Sequence, residues 1–445
     1  MKKFLGIVIL GLLLSNNLLA KNYSNQFQFF NKWLYDNGHH QYLNLDEPTE
    51  GVCATEPKFS MIWYANSCDT FQGSNNLNIK IYGNYWHWIP EPNEGGEPHP
   101  SDPRPNYDTL LFELYRYLYD PLLKNWDKYL VKKSDNPYKF QSNLTEDKLI
   151  DKQLNKTGLL SYLYFQDDQI LIDKISPKDR FGKFIDNKTK FRSMSVGKTM
   201  VSYVTGHAIC EGYIDSVDQR IDDWDLVKNT LYDGQKLIDL LNMAAGDQKY
   251  VYDSYFLSNP SVVTHLQIAD DANLAYYMTT QFQGTKKSKS KYNYNVINTN
   301  LIFNYILFKS GDDFEKILDE TFKNKARIKN SVYFYKMGGH KDDGIANSMF
   351  YATRYDYLRI GKSIADDWQN DTCVGKYLKT IYKNRIKKGN VDEPKKNPTS
   401  SYGGQFHMDV SGLKNRKMFV MGGYGGQAIW IDVEESIIVV LNSMH

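Results

Sequence analysis

The chain has 445 residues, with 54 lysines and arginines against 52 aspartates and glutamates and a formal net charge of +2. So even a balance argues against a nucleic-acid surface, and the lysine clusters at 286–291 and 395–396 read as solvated loops. The length exceeds one ordinary domain and leads us to expect two or three units.

Lys2 and Lys3 precede an apolar run from Phe4 to Leu14, and Leu18-Leu19-Ala20 closes the segment. A charged start, an apolar stretch and a small residue form the pattern of a secretory signal peptide over residues 1–20. The run is short for a membrane span, and no later segment reaches about 18 uninterrupted apolar residues. No cysteine follows it directly, so a lipid anchor is not expected. The mature chain is expected to be secreted, most simply into a bacterial periplasm.

Residues 21–155 read as an N-terminal extension of unassigned role. The tryptophans and tyrosines from Trp63 to Trp88 fit a packed core better than a dedicated binding face. A proline- and glycine-rich stretch from Pro90 to Pro105 interrupts the region. Beyond it, Leu110, Leu111, Leu114 and Leu118 have helical spacing within Tyr107 to Leu130, broken by Pro121. Cys53 and Cys68 flank a short loop, and in an oxidising compartment a disulfide between them is expected. Cys210 falls on an apolar helix and reads as a buried thiol, while Cys373 has no evident partner. No Cys-x-x-Cys or His-x-x-x-His spacing is present, so no metal or cofactor is predicted. His39-His40 reads as a loop and Trp86-His87-Trp88 as aromatic core.

From Thr157 the pattern changes. Leu159 to Phe165 and Gln169 to Asp173 read as two strands joined at Asp167-Asp168, a hairpin. Next comes Ser195-Val196-Gly197-Lys198, opening an apolar helix from Met200 through Cys210. Residues i and i+3 share a helix face, so the Lys198 amine can reach the Ser195 hydroxyl. A serine hydroxyl needs a neighbouring base to act as a nucleophile, and a lysine serves once its amine is neutral. Serine is also a favoured helix N-cap, and locally both readings of Ser195 stand. Ser288-Lys289-Ser290-Lys291 matches the same spacing by chance in a basic loop; a chain this long is expected to hold about two or three such matches.

Gly212 to Trp224 and the helix Lys236 to Gly246 follow, and helical material is expected to continue to about residue 385. Ala428 to Asp432 and Ser436 to Leu441 read as closing strands with a turn at Glu434-Glu435. Strands at both ends with helices between them predict an α+β fold, an antiparallel sheet whose first and last strands meet.

These pieces, in this order, resemble the serine β-lactamase and penicillin-binding-protein superfamily, in particular the class C β-lactamase-like esterases and 6-aminohexanoate-dimer hydrolases. The likeness spans about residues 157–445, so 156–445 is expected to be one β-lactamase-related domain: an antiparallel sheet flanked by helices, with a helical subdomain. Gly212-Tyr213-Ile214 leading to Asp218 and Ile221, and the box from Leu240 to Gly246, are similar to segments that follow the serine helix in that family. The family's second element is a tyrosine, often Tyr-x-Asn. Tyr294 fits it, with Val296 where the asparagine often stands and Tyr292 as the competing assignment. The third element is similar to Gly423-Tyr424-Gly425-Gly426-Gln427. Met421 stands near the position of the usual lysine or histidine, so the cation that reads a β-lactam carboxylate is missing.

The resemblance implies Ser195 as nucleophile, with Lys198 and Tyr294 as general base and acid. It places the oxyanion on the backbone N–H groups of Ser195 and Tyr424, with Gly423 and Gly425 shaping the substrate edge. The implied substrate is a small molecule or short peptide-like ester or amide. No nucleic-acid partner and no membrane span after signal removal are expected, and the oligomeric state stays open. A catalytically silent envelope binding protein and a D-alanyl carboxypeptidase are the alternatives. A Ser-His-Asp site is disfavoured: His207 lies about three turns from Ser195 on its own helix, and His407 and His445 have no triad context.

Overall fold

The computed structural model describes residues 36, 77–82, 85–90, 114, 115, 118, 127–252, 263–264, 274–337, 345–389, 399–413, 415–423 and 426–443. The predicted signal peptide, Cys53 and Cys68, His39 and His40, Tyr424 and Gly425, and His445 lie outside the described residues. Two compact units divide the chain: Met1–Gln72 with Gly95–Asn125 and His445, and Gly73–Glu94 with Trp126–Met444. In the first, Leu114 and Tyr115 are helical and buried. The second unit carries the sheets and helices that hold the site.

Its strands in chain order are β1 (Leu77–Tyr82), β2 (Tyr85–Pro90), β3 (Lys128–Val131), β4 (Gln141–Ser142), β5 (Leu159–Gln166), β6 (Gln169–Ile175) and β7 (Lys190–Arg192). Then come β8 (Val251–Tyr252), β9 (Val263–Thr264), β10 (Val332–Met337), β11 (Ile345–Thr353), β12 (Ile386–Lys387), β13 (Thr399–Gly403) and β14 (Phe406–Val410). The last are β15 (Met418–Gly423), β16 (Gln427–Asp432) and β17 (Ile437–Ser443). The main sheet runs β12-β13-β14-β15-β16-β17-β5-β6-β4 and is antiparallel except where β4 joins β6. As expected, strands from the two ends of the domain meet, with Val440 of β17 opposite Leu163 of β5. Asp167 and Asp168 both have positive φ, 52° and 57°, the two-residue turn that matches the strands' twist.

The helices are α1 (Lys148–Lys156), α2 (Val196–Cys210), α3 (Leu237–Leu241), α4 (Leu274–Thr280), α5 (Ile297–Ser310), α6 (Phe314–Leu318), α7 (Arg354–Gln369) and α8 (Cys373–Lys383). α1 starts at Asp147, whose side chain accepts from the Leu149 and Ile150 N–H groups. It covers one face of the sheet, where Ile150 and Leu154 join Tyr162, Tyr164, Val420, Trp430 and Val439 in one buried cluster. α7 packs on the other face, with Gly361 so close to Ile429 and Ile438 that a side chain there would touch both. Covered on both faces, β16 and β17 are buried along their whole length, which is why they read as unbroken apolar runs.

The region read as helical to about residue 385 holds a second sheet, in the order β3-β10-β11-β7. Its strands are rich in tyrosine and phenylalanine, and Tyr333, Phe334, Phe350 and Tyr351 pair across it in register. Aromatic residues fit a pleated surface as well as a helix face, so periodicity alone did not separate the two. The stretch from 385 to 415 supplies β12, β13 and β14 of the main sheet.

Cys210 is not a buried free thiol, and Cys373 does have a partner. Cys210, the last residue of α2, is disulfide-bonded to Cys373, the first residue of α8, with their Cα atoms 5.8 Å apart. The two are 163 residues apart in sequence, and only the packing of α8 against α2 brings them together.

Candidate active site

α2 is buried on nearly every side, from Val196 to Ala208, and carries the predicted serine and lysine at its start. Its entry is held from both sides. Ser193 donates its N–H to the Phe350 carbonyl at 2.8 Å, and its hydroxyl accepts from the Phe350 N–H at 3.0 Å. Gly197 lies flat on β11: a Cβ there would stand 1.8 Å from the Ser348 carbonyl oxygen. Between these anchors Met194 has a φ of +47°, a conformation uncommon for any residue but glycine and costly unless the surroundings impose it. The sharp turn leaves Ser195 partly exposed at the head of a buried helix.

Ser195 occupies the N-cap position but makes no side-chain cap. Its hydroxyl is instead hydrogen-bonded to Lys198 Nζ at 3.1 Å. Of the two readings open in the sequence, the capping one has no side-chain hydrogen bond behind it, and the hydroxyl faces the lysine. Lys198 is only 4% exposed, and its Nζ sits over the Tyr294 ring, 4.9 Å from the centroid. A cation or polar hydrogen over an aromatic face is drawn to its negative quadrupole.

Tyr294 ends the loop before α5. Its ring stacks on His407 of β14, with centroids 6.2 Å apart, and meets Tyr402 of β13 edge-on at 6.1 Å. Tyr292, the competing tyrosine, packs against Tyr402 at 5.2 Å. Burial of the His407 ring, reinforced by the nearby Lys388 ammonium, pushes the imidazole well below its ordinary range, so it is neutral at physiological pH. Its Nδ1 is buried without a hydrogen-bond partner among the described residues.

Gly423, at the end of β15, completes the described part of the site. A Cβ there would fall 2.7 Å from the Ser193 carbonyl oxygen and 3.2 Å from Met194 Cβ. The strand edge thus approaches the serine turn as closely as backbone allows, which only glycine permits. Met421 is fully buried two residues earlier. The structure thus brings Ser195, Lys198, Tyr294 and Gly423 into one place.

His207, three turns along α2, belongs to other surroundings, against Tyr203 at 4.9 Å. Sequence reasoning missed Ser193 and Met194 as the hinge of the turn, and His407 and Tyr402 as the bed of Tyr294. The aromatic and histidine residues of β13 and β14 were visible, but without the strands nothing pointed them at Tyr294. Among the described residues no three His, Cys, Asp or Glu side chains gather as a metal ion would require. No described helix is long and apolar enough to cross a membrane.

No family model matches the chain, and no curated protein matches it in sequence. Solved structures do match. A protein assigned as a 6-aminohexanoate-dimer hydrolase from Bacillus anthracis superposes with a TM-score of 0.58 at 16% identity, over 75% of this chain and 88% of that one. A protein assigned as a β-lactamase from Bacteroides dorei DSM 17855 gives 0.50 at 16% identity, over 67% and 89%. At such identities the likeness concerns the fold. The chain shares its α+β fold with these two structures.

Proposed function

We propose that the protein is a serine hydrolase that cleaves an ester or short amide through an acyl-enzyme on Ser195. The observation that carries this reading is the uncapped Ser195 hydroxyl bonded to the buried Lys198 amine, which itself lies on the Tyr294 ring. Ser195 Oγ forms a bond to the substrate carbonyl carbon while its proton passes to Lys198, directly or through the Tyr294 phenol. Lys198 must be an amine to accept it.

We assign the tetrahedral oxyanion to the Ser195 N–H, which has no partner among the described residues, and, as the resemblance implies, to the Tyr424 N–H, which lies outside them. Donors of this kind contribute about 3–4 kcal/mol each. Tyr294 delivers a proton to the leaving oxygen or nitrogen as its bond to the acyl carbon breaks. Water then takes the leaving group's place, and the acid is released from Ser195.

A buried methionine at position 421 supplies no charge for a substrate carboxylate, which favours neutral esters and amides over β-lactams. Secretion is part of the same proposal. The apolar segment Phe4 to Leu14 supports it, as does the Cys210–Cys373 disulfide, a bond that persists in oxidising compartments.

The direct test is incubation with a fluorophosphonate probe, followed by mapping of the adduct by mass spectrometry. A tag on Ser195 that is lost in Lys198→Ala is the expected result. A folded protein that takes no tag, or takes it on another serine, would reject the assignment.

A further inference from the structure

Tyr294 stands between two asparagines, Asn293 and Asn295, and both reach the same buried carboxylate. Asn293 Nδ2 donates to Asp247 Oδ1 at 2.7 Å, and Asn295 Nδ2 donates to Asp247 Oδ2 at 3.1 Å. Tyr232 Oη adds a third donor to Oδ2, also at 3.1 Å. Asp247 is 0% exposed, and no lysine, arginine or histidine among the described residues pairs with it. We propose that Asp247 is the positioning residue of the site: an anionic clamp that docks Asn293 and Asn295 and so holds Tyr294 over Lys198. This inference rests on the role given to Tyr294 above.

The clamp is itself rigid. The Asp247 carbonyl accepts from the Tyr250 and Val251 N–H groups, and the Gly246 carbonyl accepts from the Ser288 N–H and hydroxyl. Gly246 has a φ of +75°, and a Cβ there would stand 2.4 Å from the Ser288 carbonyl oxygen, so the approach requires glycine. From the other side the Asn293 N–H donates to the Met243 carbonyl at 2.8 Å. Asn295 is also tied to the first turn of α5, its Oδ1 accepting from the Asn298 N–H at 2.9 Å. Tyr294 therefore has an anchored residue on each side, and both anchors close on one side chain.

The chemistry of the partners explains why a carboxylate is needed. An asparagine amide nitrogen can only donate, and so only an acceptor on both oxygens satisfies the two amides together with the phenol. Burial raises the Asp247 carboxyl above its usual range, while the Asn293, Tyr232 and Asn295 donors pull the other way. A group so costly to bury, without a counter-charge, needs a reason beyond packing.

Asp247→Asn tests this with almost no change of volume. It turns one acceptor oxygen into a donor that faces another donor. Two esters with the same acyl group, one with a p-nitrophenolate leaving group and one with an ethoxide, report on the proton that Tyr294 delivers. A good leaving group hardly needs that proton. The expected loss in kcat is therefore about 100-fold on the ethyl ester and within about 3-fold on the p-nitrophenyl ester, with KM nearly unchanged.

Fluorophosphonate tagging of Ser195 should persist in the variant. Asp247→Asn combined with Tyr294→Phe should lose no more than Tyr294→Phe alone, because both act through one group. Asn293→Ala tests the same clamp from the other side and serves if Asp247→Asn does not fold. Equal losses on both esters, or none, would overturn the proposal.

A readout independent of turnover is the 19F resonance of 3-fluorotyrosine at position 294, which should move or broaden in Asp247→Asn and in Asn293→Ala. An unchanged resonance would overturn the positioning role even if Ser195 is tagged. A shifted resonance in a protein whose Ser195 takes no tag would keep the clamp and discard the hydrolase reading.

Discussion

Ser195 and Lys198 illustrate how much one hydrogen bond decides. A helix-capping serine and an activated serine are the same residue at the same place, and they differ only in what the hydroxyl touches. Here it touches Lys198 Nζ at 3.1 Å and not a backbone N–H of the first turn. Tyr294 and Tyr292 differ in the same way. Lys198 lies over the ring of Tyr294, while Tyr292 rests on Tyr402. Tyr294→Phe is expected to lower kcat by about 100-fold or more, the contribution of a positioned proton donor, and Tyr292→Phe by less than about 3-fold. Steady-state rates on an alkyl ester check this, and the opposite ranking would move the role to Tyr292.

His207 offers a separate prediction at this scale. Burial pushes its pKa down from 6.5 to about 4, with Asp367 and Glu320 pulling it up and Lys325 reinforcing the drop. Between those two values the unfolded chain binds a proton that the folded chain refuses, so stability falls as pH falls. The loss is expected to reach about 2 kcal/mol by pH 5. Urea unfolding at pH 7 and pH 5 should show it, and His207→Gln should flatten the difference. Equal slopes in both proteins would refute the assignment.

At the scale of elements, the site depends on how α2 is seated. Gly197 is the contact point with β11, and the atom it would strike, the Ser348 carbonyl oxygen, belongs to backbone that cannot swing aside. Gly197→Ala is therefore expected to displace the head of α2. We expect a stability loss of about 1–3 kcal/mol, the usual cost of overpacking, and fluorophosphonate tagging of Ser195 slowed by about 10-fold or more. Normal tagging in this variant would mean that β11 does not hold the serine turn.

The far end of α2 is held by the disulfide to α8. Ser202 and Tyr377 also bond across the two helices, their hydroxyl oxygens 2.8 Å apart. A cross-link closing a loop of 163 residues is expected to contribute about 3–5 kcal/mol, mostly by restricting the unfolded chain. The variant Cys210→Ala with Cys373→Ala should unfold at lower denaturant and still take the tag on Ser195, since the serine turn is anchored at the opposite end of the helix. An unchanged midpoint would show that the bond contributes nothing.

For the whole molecule, what could be read early was whatever depends on neighbours along the chain. The spacing of Ser195 and Lys198 on one helix face, the hairpin around Asp167-Asp168 and the unbroken apolar runs of β16 and β17 are local patterns. Each has a direct physical cause in helical pitch, turn geometry or two-sided burial. Even the closure of the sheet by β17 against β5 followed from strands at both ends of one domain.

The rest required parts of the chain far apart in sequence to meet. Cys210 found Cys373, the aromatic segments 332–337 and 345–353 paired as strands, and Tyr294 came to rest on His407. The same holds for Asp247, which reads as an ordinary loop aspartate until Asn293 and Asn295 fold onto it. Local periodicity fixes which face of an element is apolar. It carries no information about which other element that face will meet, and the site's supporting contacts are made of such meetings.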